Sequence, residues 1–296
     1  MVRFALFRAS LAVLSASLAF SQNRNVPKET LAPVLTPWEI TPTVGDNDAF
    51  PAYKVIGDMY YVGTQDYASF LITSPEGHIL INPDFEDSVD LIKVSVEKLG
   101  FRFGDIKVIL ISHAHGDHAA GAAKMKEMTG AQYMVMDADV PATEHPASAR
   151  SGYPAASISR VLHDNDEVRM GSNTLVAHLT PGHTKGNTTW TMKTIENGRT
   201  LDVVIVGSAG VNSAPSLVNN AGYPGIVEDY QKTFRVLKAL PCDVFLASHG
   251  KFYGMKQKYA RLGQGANPFV DPDGYKAHVR LMEQAFYYKL DWAIRQ

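Results

Sequence analysis

Residues 111–121 read ISHAHGDHAAG and close the apolar run VILI at 108–111. His113, His115, Asp117 and His118 fall within six positions. A run such as KVILIS, apolar almost throughout, predicts a strand covered on both faces. Imidazoles placed at the end of such a strand lose hydration at a cost unless something binds them. His113 and His115, two apart in an extended turn, can point the same way. Asp117 and His118, next along at a helix start, can face a neighbouring point. The spacing therefore predicts four ligands shared between two adjacent cations, each of which needs a further ligand from elsewhere.

Two other histidines share this setting. His183 lies in TPGHTKG (180–186) and His249 in LASHGKF (246–252), each just after an apolar strand. His78, His145, His163, His178 and His278 do not share it as a group. Zinc takes nitrogen and oxygen ligands in this number and keeps a position open for water. Two such ions, about 3.5–4 Å apart, would share a hydroxide.

The bulk of the chain is compatible with an enzyme. It has 296 residues, 45% hydrophobic and 20% charged, long enough for one large α/β domain. A net charge of −2 gives no reason to expect nucleic acid or an anionic membrane as partner. Residues 1–21 have the form of a secretory signal peptide. Arg3 and Arg8 precede an apolar stretch too short to span a bilayer, and the small residues Ala19 and Ser21 precede Gln22. This predicts a periplasmic or secreted protein without stable membrane association. Residues 22–49 read as an extended arm whose Trp38 docks on the body, and residues 50–296 as a single catalytic domain. One cysteine, Cys242, excludes an internal disulfide and reads as a small buried hydrophobe. The absence of disulfides and the ordinary charge fit a monomer.

From residue 50 the pattern gives strands at YKVIG, MYYVGT, SFLITS and HILINP, separated by turn residues. A helix follows with Val89, Ile92, Val96 and Leu99 on one face, closed by Gly100. After the opening motif, residues 117–130 read as one helix ended by Gly130, then AQYMVM as a strand. Residues 137–160 read as an irregular surface loop. NTLVAHLT, TTWTMKT, LDVVIVGS and DVFLAS are strands, with a helix from Pro224 between the last two. From Asp271 a long amphipathic helix turns Val279, Met282, Phe286 and Leu290 inward. Two runs of strands, each followed by helices, predict two packed sheets with helices outside and a cleft at the strand ends.

HAHGDH together with TPGHTKGNTTW resembles the metallo-β-lactamase superfamily. That resemblance implies an αββα four-layer sandwich of two mixed β-sheets flanked by helices, with a dinuclear metal site between the sheets. Many members carry an aspartate that bridges both metals, after a strand and a glycine. Here VVIVGSAGVNS puts Ser208 at that place. No cysteine is present in this region, and His113 occupies the first position of the motif. The pattern is similar to the third subclass of class B β-lactamases. MYYVGT, NNAGYPGIVEDY, FYGMKQKYARL and NPFVDPDGY also look like that subclass, while the turn NPDFEDS departs from its usual form.

The resemblance implies two Zn²⁺ per chain, one on His113, His115 and His183 and the other on Asp117, His118 and His249. It implies hydrolysis of the β-lactam ring of penicillins, cephalosporins and carbapenems by a zinc-bound hydroxide, and so antibiotic resistance. Asp117 would orient the nucleophile and help relay a proton. Ser208, Asn212 and Ser213 would meet the substrate carboxylate, Trp38 and Tyr153 could wall the cleft, and Thr184, Ser112 and Ser248 could brace the ligands. The alternatives are a lactonase or esterase of the same fold, against which the missing bridging aspartate argues, and a non-catalytic periplasmic zinc-binding protein.

Overall fold

The computed structural model describes residues 43–144, 152–212 and 217–296. Residues 1–42, with the expected leader and Trp38, lie outside the described residues, as do His145 and Ser213. The described strands form two mixed sheets. The first, in the order β1 to β7, runs through Tyr53–Ile56, Met59–Tyr61, Phe70–Ser74, Gly77–Ile81, Ile106–Leu110, Gln132–Met136 and Arg160–Leu162. Its first four strands pair antiparallel and its last four parallel. The second has β12 (Val244–Ala247), β11 (Arg199–Val206), β10 (Thr188–Glu196), β9 (Asn173–Leu179) and β8 (Glu167–Met170), in that order. Only the β11–β12 pair in it is parallel.

β5 shows why an unbroken apolar strand was needed. Val108 and Leu110 join the layer between the sheets, where they meet Ile72, Ile79, Trp190 and Ile205. Ile109 and Ile111 point the other way, into a second cluster with Val89, Ile92, Val96 and Met125. These last belong to α1 (Ser88–Lys98) and to the helix Ala122–Thr129. On the far side, Tyr230 and Phe234 of the helix Ile226–Ala239 and Phe286 of the helix Pro272–Ile294 pack on the second sheet. The order is helix, sheet, sheet, helix, as expected.

Two expectations need correction. The helix expected over 117–130 is broken into α2 (Gly116–Ala119) and α3 (Ala122–Thr129). The break falls where the Gly121 N–H donates to the Asp84 carbonyl, 2.8 Å away, instead of to its own helix. A Cβ on Gly121 would sit 2.3 Å from the Pro83 carbonyl oxygen, so only glycine allows this approach. The described start of the stretch 137–160 is also more ordered than a surface loop. It holds a 3₁₀ turn, Asp137–Asp139, then α4 (Val140–Glu144), and Asp139 is buried. β7 and β8 were not legible because both are short edge strands carrying Arg160, Glu167 and Arg169, which suit an edge but hide the alternation. The helix Ile226–Ala239 is α5, Met255–Tyr259 is α6 and Pro272–Ile294 is α7. α7 starts where the sequence placed it, with Asp271 accepting from the Gly274 N–H at 2.9 Å.

His278 on α7 is buried at 6% exposure, and its Nε2 has no hydrogen-bond partner among the described residues. The rings of Phe245 and Phe252 lie 5.2 and 5.3 Å away. Burial lowers its pKa from 6.5 to about 4. Between those values the unfolded chain binds a proton that the folded chain refuses. The neutral ring therefore favours the fold fully above pH 6.5, and that advantage is lost as the pH falls through about 4. The loss amounts to about 3 kcal/mol at most. Urea unfolding of metal-free wild type and His278→Leu between pH 7 and 4 should give a shallower decline for the variant; parallel declines would refute the assignment.

Candidate metal centre

The histidines expected at strand ends do converge. β5 ends at Leu110, and the chain stays extended through His115, whose ψ is 153°, before α2 begins. β9, β11 and β12 of the other sheet end at the same rim and lead into His183, Ser208 and His249 respectively. Single ring nitrogens of His113, His115 and His183 lie within 4.8 Å of one another, and so do donors from His113, Asp117 and His118. The rings of His113, His115 and His183 stand 4.5–4.8 Å apart, edge to face.

Beside this cluster lies a tighter one. His118 Nε2 and His249 Nε2 face each other at 3.2 Å. Asp117 Oδ2 is 3.4 Å from each of them. Tetrahedral coordination at about 2.0–2.1 Å puts donor atoms about 3.3 Å apart, so this triangle has the dimensions of three corners of a zinc site. Both ring nitrogens of the buried His113 and Nδ1 of His118 lack a hydrogen-bond partner among the described residues. Buried polar atoms left so are expensive unless a cation takes them. The residues present fit a bound metal ion.

Electrostatics agrees. Burial, then the neighbouring imidazoles, lowers the His113 pKa far below its usual value. Burial brings His118 and His183 down to about 3. Both stay neutral near pH 7 with lone pairs to give. Burial pushes the Asp117 carboxyl upward, but His118 and His249 outweigh it and hold it well below the usual carboxylate range. Burial also disfavours charge on His249, yet Asp117 and Asp66 lift it to about 9. The pocket between these carboxylates calls for positive charge, whether a proton or a metal.

Three bracing residues gave no signal in the sequence. Asp66, fully buried, accepts from His249 Nδ1 at 3.0 Å and from the Lys251 N–H at 2.8 Å, and so fixes the ring. Asn82 sits in the unusual NPD turn with φ 63°. Its Oδ1 accepts from Ser112 N–H at 2.7 Å and its Nδ2 donates to the Ala68 carbonyl at 3.1 Å, which ties the turn to the start of the histidine loop. Asp139 is the third. Each makes its contact through chain far away in sequence, which local patterning cannot reveal.

The remaining candidates take varied places. Thr184 donates to Asp139 rather than to a histidine, at 2.8 Å. Ser112 contributes its backbone to bracing, and Ser248 donates to the Gly207 carbonyl. Tyr153 donates to the Ala114 carbonyl at 2.9 Å, beside the histidines. Ser208 is buried, and its hydroxyl accepts from Gly210 N–H at 3.3 Å. Asn212 Nδ2 donates to the His183 carbonyl at 3.5 Å. His183 Nδ1 itself donates to the Gly210 carbonyl at 2.8 Å. Cys242 is half-buried at the opposite end of β12 from His249, with its thiol pushed up to about 12, chiefly by burial.

Fold and donor set together describe a two-sheet sandwich with a metal-binding rim. The chain belongs to the metallo-β-lactamase superfamily, whose family model matches residues 63–249. Among solved structures it is similar to the native FEZ-1 metallo-β-lactamase from Legionella gormanii, at 45% identity and a TM-score of 0.83, covering 86% of this chain and 100% of that one. BJP-1, a subclass B3 metallo-β-lactamase of Bradyrhizobium japonicum, is 35% identical with a TM-score of 0.80, over 85% and 98%. Among curated proteins, the hydroxyacylglutathione hydrolase of Cereibacter sphaeroides is 26% identical over 162 residues. That match takes in 55% of each protein, so the chain spans about half the length of this relative.

The hydrogen bond from His249 to Asp66 gives a test. Asp66→Ala should weaken zinc binding roughly 10–100-fold in a chelator competition. Affinity equal to wild type would show that Asp66 does not orient the ring.

Proposed function

We propose that this protein hydrolyses β-lactam antibiotics with two zinc ions in the bacterial periplasm. His113, His115 and His183 hold one ion, and Asp117, His118 and His249 the other. The observation that carries this reading is the pair of adjacent donor triads followed by Ser208, rather than an aspartate, at the end of β11. The similarity to FEZ-1 over that enzyme's whole length supports it, as does BJP-1. The metal would supply Lewis-acid polarisation of the lactam carbonyl and a water acidic enough to attack at neutral pH.

The chain's own groups do the rest. Asp117 is only partly exposed and stays ionised, so it accepts a hydrogen bond from the attacking water and holds it in line. It then stands ready to pass a proton toward the lactam nitrogen as the C–N bond breaks. Ser208 and Asn212 meet the substrate carboxylate from the loop after β11, with Ser213 beside them in sequence, and Tyr153 walls the cleft. Residues 1–21 direct export. Small molecules are the only partners this reading requires, and a monomer suffices.

The curated relatives favour a second reading, hydrolysis of a hydroxyacylglutathione or a related ester. A panel decides between them. The zinc-loaded protein should open a penicillin, a chromogenic cephalosporin or a carbapenem, lose that activity in EDTA and regain it with zinc. Turnover of hydroxyacylglutathione or a homoserine lactone with every β-lactam left intact would sink the proposal. Two bound zincs with no turnover of any substrate would point to a non-catalytic zinc-binding protein. Asp117→Ala should lower kcat by about 10²–10⁴-fold with the fold retained by circular dichroism.

A further inference from the structure

Asp139 lies outside both donor clusters yet joins the loops that carry one of them. It ends the 3₁₀ turn after β6 and is 3% exposed. Its Oδ2 accepts from the Ala114 N–H at 2.9 Å and from the Thr184 hydroxyl at 2.8 Å. Its Oδ1 accepts from the Gly186 N–H at 2.7 Å. Ala114 stands between His113 and His115, and Thr184 follows His183. One carboxylate thus grips the two loops bearing the three members of the first cluster. A Cβ on Gly186 would come within 2.5–2.7 Å of Asp139 backbone and side-chain atoms, so the close approach needs glycine there.

We propose that Asp139 is a positioning residue for the metal centre, setting His113 and His115 against His183 so that one ion meets all three. The proposal rests on the metal-binding reading above. A carboxylate is suited to the place because all three partners are donors, and an amide can accept at one end only. Hydrogen bonds to a charged acceptor are also the stronger kind. Outer partners of this sort fix ligand orientation in metal sites.

The full-length protein is titrated with zinc against a chromophoric chelator, and Tm is measured with and without zinc. Asp139→Asn keeps the size and turns one end into a donor. One of the two ions should then bind roughly 10–100-fold more weakly, and the rise in Tm on adding zinc should shrink. A lower Tm of the metal-free protein with zinc affinity unchanged would overturn the proposal, since a purely structural hydrogen bond gives that result. Gly186→Ala displaces the carboxylate without altering a polar atom, and Thr184→Val removes a single donor. If Asp139→Asn does not fold, these two carry the test: weaker zinc binding supports the proposal, and wild-type affinity in both overturns it. Since the readout is zinc affinity, wild type that binds zinc but opens no β-lactam refutes the proposed function alone. Wild-type protein that takes up no zinc refutes both.

Discussion

Five imidazoles and one carboxylate are drawn out of water at one rim of the sandwich, and much of the local structure answers to that crowding. His113 and His118 are almost wholly buried with ring nitrogens that no group among the described residues satisfies. His118 and His249 point nitrogen at nitrogen. Left to themselves such groups would repel or hydrate. They are kept in place by strands whose cores are tightly packed, and two of the rings by outer hydrogen bonds, His183 to the Gly210 carbonyl and His249 to Asp66. Trp190 illustrates the first. It is buried between the sheets, and its indole N–H donates to the Ile111 carbonyl, two residues before His113, at 3.1 Å.

The electrostatic design has two halves that differ. Around His113 and His183 burial first, and the neighbouring imidazoles after it, drive protons off and leave lone pairs. Around His249 the neighbours are Asp117 and Asp66, so positive charge is welcomed. A single rim therefore combines a neutral donor set with an anionic one. That difference follows from where each loop comes from: the first set combines the β5 loop with the β9 loop, while the second adds the β12 end, which packs on the loop carrying Asp66.

Much of this was legible in the sequence, and the rest was not for identifiable reasons. The motif at 113–118 could be read because an apolar strand, an extended turn and a helix start each have a local signature. His183 and His249 could be read because they repeat the strand-end setting. The helix break at Gly121 could not, since it depends on the Asp84 carbonyl arriving from another turn. Asp66, Asn82 and Asp139 were invisible for the same cause: an isolated Asp or Asn looks alike in a solvated turn and in a buried brace. The NPD turn looked like a mere departure from pattern, but its left-handed Asn82 and Asp84 are what let side chain and carbonyl reach the histidine loop.

The loop after β11 is held from several directions. Tyr230 and His183 share the Gly210 carbonyl, and Lys289 near the end of α7 donates to the Val211 carbonyl at 2.7 Å. Lys289 lies 78 positions beyond the residue it secures. During synthesis, both sheets and all six rim residues emerge from the ribosome before that lysine does. A nascent chain stopped short of α7 would hold all six rim residues yet lack this fastener on the loop beside them, so the loop is secured only once α7 has been made.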